Sequence, residues 1–160
     1  MRLLLILSTF VSGLLAGGNI DRAFVAMPAW QQVGAPSWAA FSRHADLGNG
    51  LVLYPVEAVG GALLTLAAAI MIHFDRNAPR AAIVSLYAAV LFAVGGLALT
   101  VKAAPIMLGI RDVAEPATLR QAFEGFWYWG NLRAVSQVLA FVAQLAALTM
   151  LLRSKEPALR

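Results

Sequence analysis

The chain contains no cysteine, which excludes disulfide staples, thiolate metal sites and cysteine nucleophiles. Charge is scarce too: Asp, Glu, Lys and Arg supply 12% of 160 residues, against about 25% in an ordinary soluble domain. The basic residues form no long run among stacking aromatics, so the net charge of +4 argues against nucleic acid as a partner. Phosphate-loop, zinc-binding and Ser/His/Asp hydrolase patterns are all missing, and no Gly/Ser-rich or Pro-rich linker divides the chain. What fills the sequence instead is apolar: 61% hydrophobic residues and a mean hydropathy of +0.76. These values define an integral membrane protein made of a single domain, residues 1–160.

Apolar segments of spanning length predict four transmembrane helices, roughly 3–27, 50–73, 81–103 and 131–152. Each covers about 30 Å of hydrocarbon at about 1.5 Å per residue. The first has a rival reading as a signal peptide, because Arg2 precedes an apolar run ending in Ala16-Gly17-Gly18. Apolar character resumes at Ile20 and in Ala23-Phe-Val-Ala-Met27, which favours a span. The expected fold is therefore all-α: an integral membrane four-helix bundle in the lipid bilayer, such as a bacterial inner membrane.

Orientation follows from the distribution of cations. Arg2, Arg76, Arg80, Arg153, Lys155 and Arg160 flank one side with only Asp75 and Glu156 against them, whereas acids and bases balance on the other. The positive-inside rule places the N- and C-termini and the 73–80 turn in the cytoplasm. The outer connections, about 28–49 and 104–130, are expected to carry short interfacial helices. One begins at Pro36-Ser37 with Ser37 as its cap and runs to His44; another opens at Glu115-Pro116 and continues into the fourth span.

Inside this apolar frame stands Glu57, a carboxylate about two turns into the second span. Such a residue costs several kcal/mol unless it is paired or neutralised, so it marks a functional site by default. Helical spacing places Tyr54, Glu57, Gly61, Thr65 and Ala68 on one seam of the second span. In the fourth it aligns Gly130, Arg133, Gln137, Ala140 and Gln144, and the first offers Ser12, Ala16, Asn19 and Arg22. Arg133 is the preferred partner of Glu57, Arg22 the second choice, and Lys102 is expected to snorkel. A purely structural ion pair that sets helix register remains the alternative.

The two histidines fall on opposite sides, His44 outer and His73 inner, which argues against a shared haem or metal site within one chain. His44 is then the better placed catalytic base, with a solvated surface role as its alternative. Trp30, Trp38, Trp127 and Trp129 all lie on the outer side, where they suit either an interfacial belt or a pocket for a flat apolar ligand.

Val25-Ala-Met-Pro28-Ala-Trp30, Val101-Lys-Ala-Ala-Pro105 and Trp127-Tyr-Trp129-Gly-Asn131-Leu-Arg133 together resemble the anthrone-oxygenase-like membrane proteins, a family classified largely as a domain of unknown function (1772). The similarity extends over nearly the whole chain, and the Trp-x-Asn-x-Arg run from Trp129 is its most specific part. Asparagines that the family usually carries around the proline after the third span are replaced here by Lys102-Ala-Ala-Pro-Ile-Met107. The resemblance implies four membrane helices and oxidation of an anthrone-like aromatic or quinone-like compound by molecular oxygen, without a cofactor. It supports Pro28, Pro105, Trp129, Asn131 and Arg133 as site positions. Such chemistry needs a base, for which Glu57 or His44 is expected, and a cation at the developing oxyanion, for which Arg133 is expected. Trp127, Trp129, Asn131, Tyr54 and Arg22 are the expected ligand-binding residues, with no metal. The alternative is a non-enzymatic subunit or small-ligand-binding protein, working as a homo-oligomer or with a partner membrane subunit, whose buried charges are structural.

Overall fold

The computed structural model describes residues 2–154, and among these every regular element is helical. Lys155, Glu156 and Arg160, which contribute to the orientation argument, lie outside the described residues. The chain runs α1 (Arg2–Asp21), a π-helical turn (Arg22–Ala26), α2 (Met27–Val33), α3 (Ala35–His44), a kinked segment (Ala45–Asn49) with non-helical dihedrals at Gly48, α4 (Gly50–His73), α5 (Arg80–Gly109) and α6 (Pro116–Arg153). Four continuous helical stretches are long and apolar enough to cross a membrane: Arg2–Val33, Ala35–His73, Arg80–Gly109 and Pro116–Arg153. They define a multi-pass membrane bundle.

The long helices pack in a ring, α1 against α4 and α6, and α5 against α4 and α6. Small residues allow the close approach: a Cβ on Gly96 of α5 would come within 3.0 Å of the Gln137 side chain of α6. Between α4 and α5, the Asp75 side chain accepts a bond from Asn77 N at 3.0 Å, and Pro79, with extended dihedrals, precedes the first turn of α5. At the other end of the bundle, Glu115 caps α6 by accepting from Thr118 N at 2.7 Å, with Pro116 in the first turn. That bond holds the exposed Glu115 carboxyl below its ordinary range, so the cap is intact at neutral pH and is lost on acidification through the lowered value.

Two apolar clusters close the ends. Near the α4–α5 turn, Leu5, Ala68, Ile72, Leu86 and Leu151 draw on all four long helices. At the opposite end, Met27, Trp30, Trp38, Ala39, Met107 and Phe123 pack the α2–α3 hairpin onto α5 and α6. Trp30 and Trp38 are 7% and 8% exposed, so they form the interior of this cap rather than an interfacial belt. The hairpin turns at Gly34, whose φ of 85° favours glycine. Gly34 also occupies the cap position of α3, which leaves Ser37 inside the helix without the capping role expected of it. Arg43 fastens the hairpin: its Nη2 donates to the carbonyls of Ile110 at 3.2 Å and Val113 at 2.5 Å, just past the C-terminal end of α5.

Midway along the bundle, Gln144 of α6 ties three helices together. Its Oε1 accepts from Ser8 Oγ at 2.7 Å, and its Nε2 donates to Ser12 Oγ at 2.7 Å and Thr65 Oγ1 at 3.0 Å. Thr65 in turn donates to the Gly61 carbonyl at 2.7 Å, and Gln144, Thr65 and Ser8 are fully buried. These bonds make α1 an integral part of the core. Gln144→Leu leaves Ser8 and Ser12 without their Gln144 partner, and unfolding in detergent is expected to become easier by about 1–2 kcal/mol. Leu145→Ala, on the exposed face, is expected to change stability by less than about 0.5 kcal/mol in the same assay.

Candidate functional site

The charged site lies where α1 gives way to α2. Pro28 has no N–H to offer the Phe24 carbonyl, and its ring crowds that carbonyl, so a regular α-helical turn is disfavoured there. The backbone widens into the π turn, and Met27 N–H bonds to the Arg22 carbonyl, one residue further back than in an α-helix. The Ala23 carbonyl is thereby vacated, and Trp127 Nε1 of α6 donates to it at 3.2 Å. One local irregularity thus docks the aromatic segment of α6 against the end of α1.

The kinked segment before α4 places Asp46 opposite the π turn. Arg22 Nη1 and Nη2 donate to Asp46 Oδ1 and Oδ2 at 2.6 and 2.7 Å, a bidentate ion pair whose side chains are 18% and 8% exposed. Tyr54 completes the cluster, with its hydroxyl 3.4 Å from Arg22 Nη1 and 3.5 Å from Asp46 Oδ1. Its ring crosses Gly50 so closely that a Cβ there would lie 2.7 Å from Tyr54 Cε2. Only glycine leaves that path open.

Arg133 approaches from α6. Its Nε donates to Asn19 Oδ1 at 3.2 Å, while Asn19 Nδ2 donates to Gln137 Oε1 at 2.6 Å and to the Leu15 carbonyl at 2.7 Å. Both guanidiniums rest near the Phe126 ring, Arg22 at 5.0 Å and Arg133 at 5.9 Å from its centroid. Arg22, Arg133, Asn19, Asn131, Phe126 and Trp127 line an open cleft whose enclosed volume is about 10 Å³, room for about one water molecule. Deeper in the bundle, Ser12, Gln137 and Ala93 border a second small space of about 10 Å³ between the Arg133–Asn19–Gln137 chain and the Gln144 knot.

The expected Glu57–Arg133 pair does not form. Glu57 is half-buried on α4 and has no hydrogen bond or ion-pair partner among the described residues. Arg22 pairs with Asp46, while Arg133 bonds Asn19 through Nε alone and rests on the Phe126 face, so the acid that pairs with a cation here lies one turn before α4 rather than two turns inside it. Of the other expected residues, Arg22, Arg133, Asn131 and Trp127 meet at the cleft, and Tyr54 braces it through Arg22. Trp129 turns away to pack on the cap cluster beside Tyr128, ring centroids 5.2 Å apart. His44 is exposed at the end of α3, makes no hydrogen bond and does not line the cleft. Lys102 is exposed. Among the described residues, no group of three or more His, Asp or Glu side chains is gathered in a way that could hold a metal ion.

Asp46 is the site residue that sequence reasoning passed over, because the chain kinks at Gly48, between it and Gly50, and helical spacing along α4 does not carry across that kink. Comparison of the chain with family models, curated proteins and solved structures finds no match.

Asp46→Asn strands the Arg22 guanidinium and is expected to cost about 3 kcal/mol of stability. Glu57→Gln removes a carboxylate that holds nothing and is expected to cost less than about 0.5 kcal/mol. Unfolding of both variants in one detergent checks the order, and a larger loss for Glu57→Gln would return that residue to the centre of the site.

Proposed function

We propose that the chain is a multi-pass membrane protein that binds a flat, hydrophobic aromatic or quinone-like compound against the open mouth of the cleft between α1 and α6. The observation that carries this reading is the composition of the cleft. Phe126 and Trp127 offer apolar ring surface, and Arg133 and Asn131 offer donors for a ligand oxygen. The resemblance of Trp129, Asn131 and Arg133 to the anthrone-oxygenase-like pattern adds a reaction to the binding. Molecular oxygen would oxidise the bound ring system, with Arg133 stabilising its oxyanion form.

A specific observation favours the binding role over catalysis. Glu57 and His44, the expected bases, do not reach the cleft, and Asp46 is held by Arg22. A protein base within reach of a bound ring is what an oxygenase of this type needs. A compound acidic enough to ionise on its own dispenses with that base.

The reading also places the cleft on the outer side of a membrane such as a bacterial inner membrane, with both termini cytoplasmic, on the strength of the cations at Arg2, Arg76, Arg80 and Arg153. The absence of native cysteine makes this simple to test. A membrane-impermeant maleimide applied to intact cells is expected to label Gln31→Cys on α2 and to label Asn77→Cys only after permeabilisation; the reverse pattern inverts the topology. For ligand binding, mass spectrometry of the purified protein is expected to detect a co-purifying aromatic or quinone-like compound that is lost in Trp127→Ala and retained in Glu57→Gln. Full retention in Trp127→Ala would end the assignment of this cleft.

A further inference from the structure

The cleft holds one positive charge more than the chain neutralises. Arg22 spends both terminal nitrogens on Asp46, and Asp46 has no further oxygen to share with Arg133 at comparable distance. Among the described residues Arg133 bonds only through Nε, to a neutral amide oxygen; neither of its terminal nitrogens has a protein acceptor there, and no carboxylate forms an ion pair with it. Its guanidinium is half-buried and shares the Phe126 ring with a second cation. A guanidinium so placed pays a desolvation cost that an aromatic face and one amide do not return.

Sequence economy points the same way. A lysine or glutamine would reach Asn19 as well, whereas a planar fork with two free ends suits a bidentate oxyanion. Those ends are not sealed among protein atoms, since the buried nitrogens without partners belong to Arg22 Nε, Arg43 Nε and Trp38 Nε1. Asn131, one turn-face away at the same cleft, adds an amide donor.

We infer that Arg133 is the anchor for an anionic oxygen carried by a membrane-soluble amphiphile, so that the cleft selects ionised ligands over neutral ones of the same shape. This rests on the reading of the cleft as the ligand site and adds the charge state of what it takes. The same chemistry is offered by an ionised enol or phenol on a ring system and by the phosphate of an anionic lipid.

The test uses the full chain in phosphatidylcholine nanodiscs, with lawsone, a naphthoquinone whose acidic hydroxyl is ionised at neutral pH, and its methyl ether, which has the same rings and no anion. Lawsone is expected to bind at least about tenfold more tightly than the ether, a factor in keeping with one charge-assisted bidentate contact. The preference is expected to vanish in Arg133→Gln and to persist in part in Arg133→Lys, with thermal unfolding confirming that each variant is folded. Equal binding of lawsone and ether overturns the inference while leaving the aromatic cleft in place. Failure of both, combined with thermal stabilisation by phosphatidylglycerol that depends on Arg133, keeps the oxyanion site, assigns it to a lipid headgroup and overturns the aromatic reading. Failure of both probes and of the anionic lipid overturns both.

Discussion

The bidentate pairing of Arg22 with Asp46 is the constraint around which one end of the bundle is arranged. A guanidinium at the end of the first span cannot be left without a counter-charge, and the carboxylate that supplies it comes from the connection to the second span. To deliver that carboxylate the chain must turn at Gly34, dock α3 against α5 and α6, and lead into α4 through the kink at Gly48. Gly50 must stay bare so that Tyr54 can reach both partners. The α2–α3 hairpin is thus a scaffold that brings an acid home, with Trp30 and Trp38 as its filling and Arg43 as its tie to the end of α5.

Away from that end the bundle follows the logic of a membrane interior, where hydrophobicity cannot hold helices together because lipid is equally apolar. Specificity comes from polar contacts whose donors and acceptors are matched. Gln144 fills its oxygen and both amide hydrogens with Ser8, Ser12 and Thr65, while Gln137 and Asn19 continue the column toward Arg133. Beyond Ser8 the column stops at Leu5, Ile72, Leu86 and Leu151. The polar interior therefore communicates with the Arg133 end alone, and the opposite end is sealed by close apolar packing.

Much of this was legible in the residues themselves. Hydropathy and length place four spans, and the helical spacing of Ser12, Asn19, Gln137, Gln144 and Thr65 picks out the inward seams before any coordinate is known. The Glu115-Pro116 start of α6 is equally plain, because cap and proline act locally. What sequence spacing cannot supply is which of several cations and acids, each free to approach from its own helix, will meet. That choice between Glu57 and Asp46 depends on the Gly34 turn, on the π turn before Met27 and on the kink at Gly48, which have no strong sequence signature beyond Pro28. The burial of Trp30 and Trp38 was hidden for the same reason. An aromatic near a membrane surface reads as a belt until a hairpin is known to fold over it.

The relation between the two arginines shows why a charge pair and a binding site should be kept apart in a structure such as this. A satisfied buried ion pair gives position but little net stability, since Coulomb attraction is set against the desolvation of both partners. Arg22 and Asp46 are such a pair, and their use is to set the register of α1 against α4. Arg133 has the same chemistry without the partner, and the chain has an unengaged carboxylate, Glu57, on a neighbouring helix face that it does not bring to bear. The bundle thus leaves an uncompensated cation at the aromatic cleft. A charge maintained at that cost, on the one polar column that reaches the cleft, is understandable when its counter-ion arrives from outside the chain.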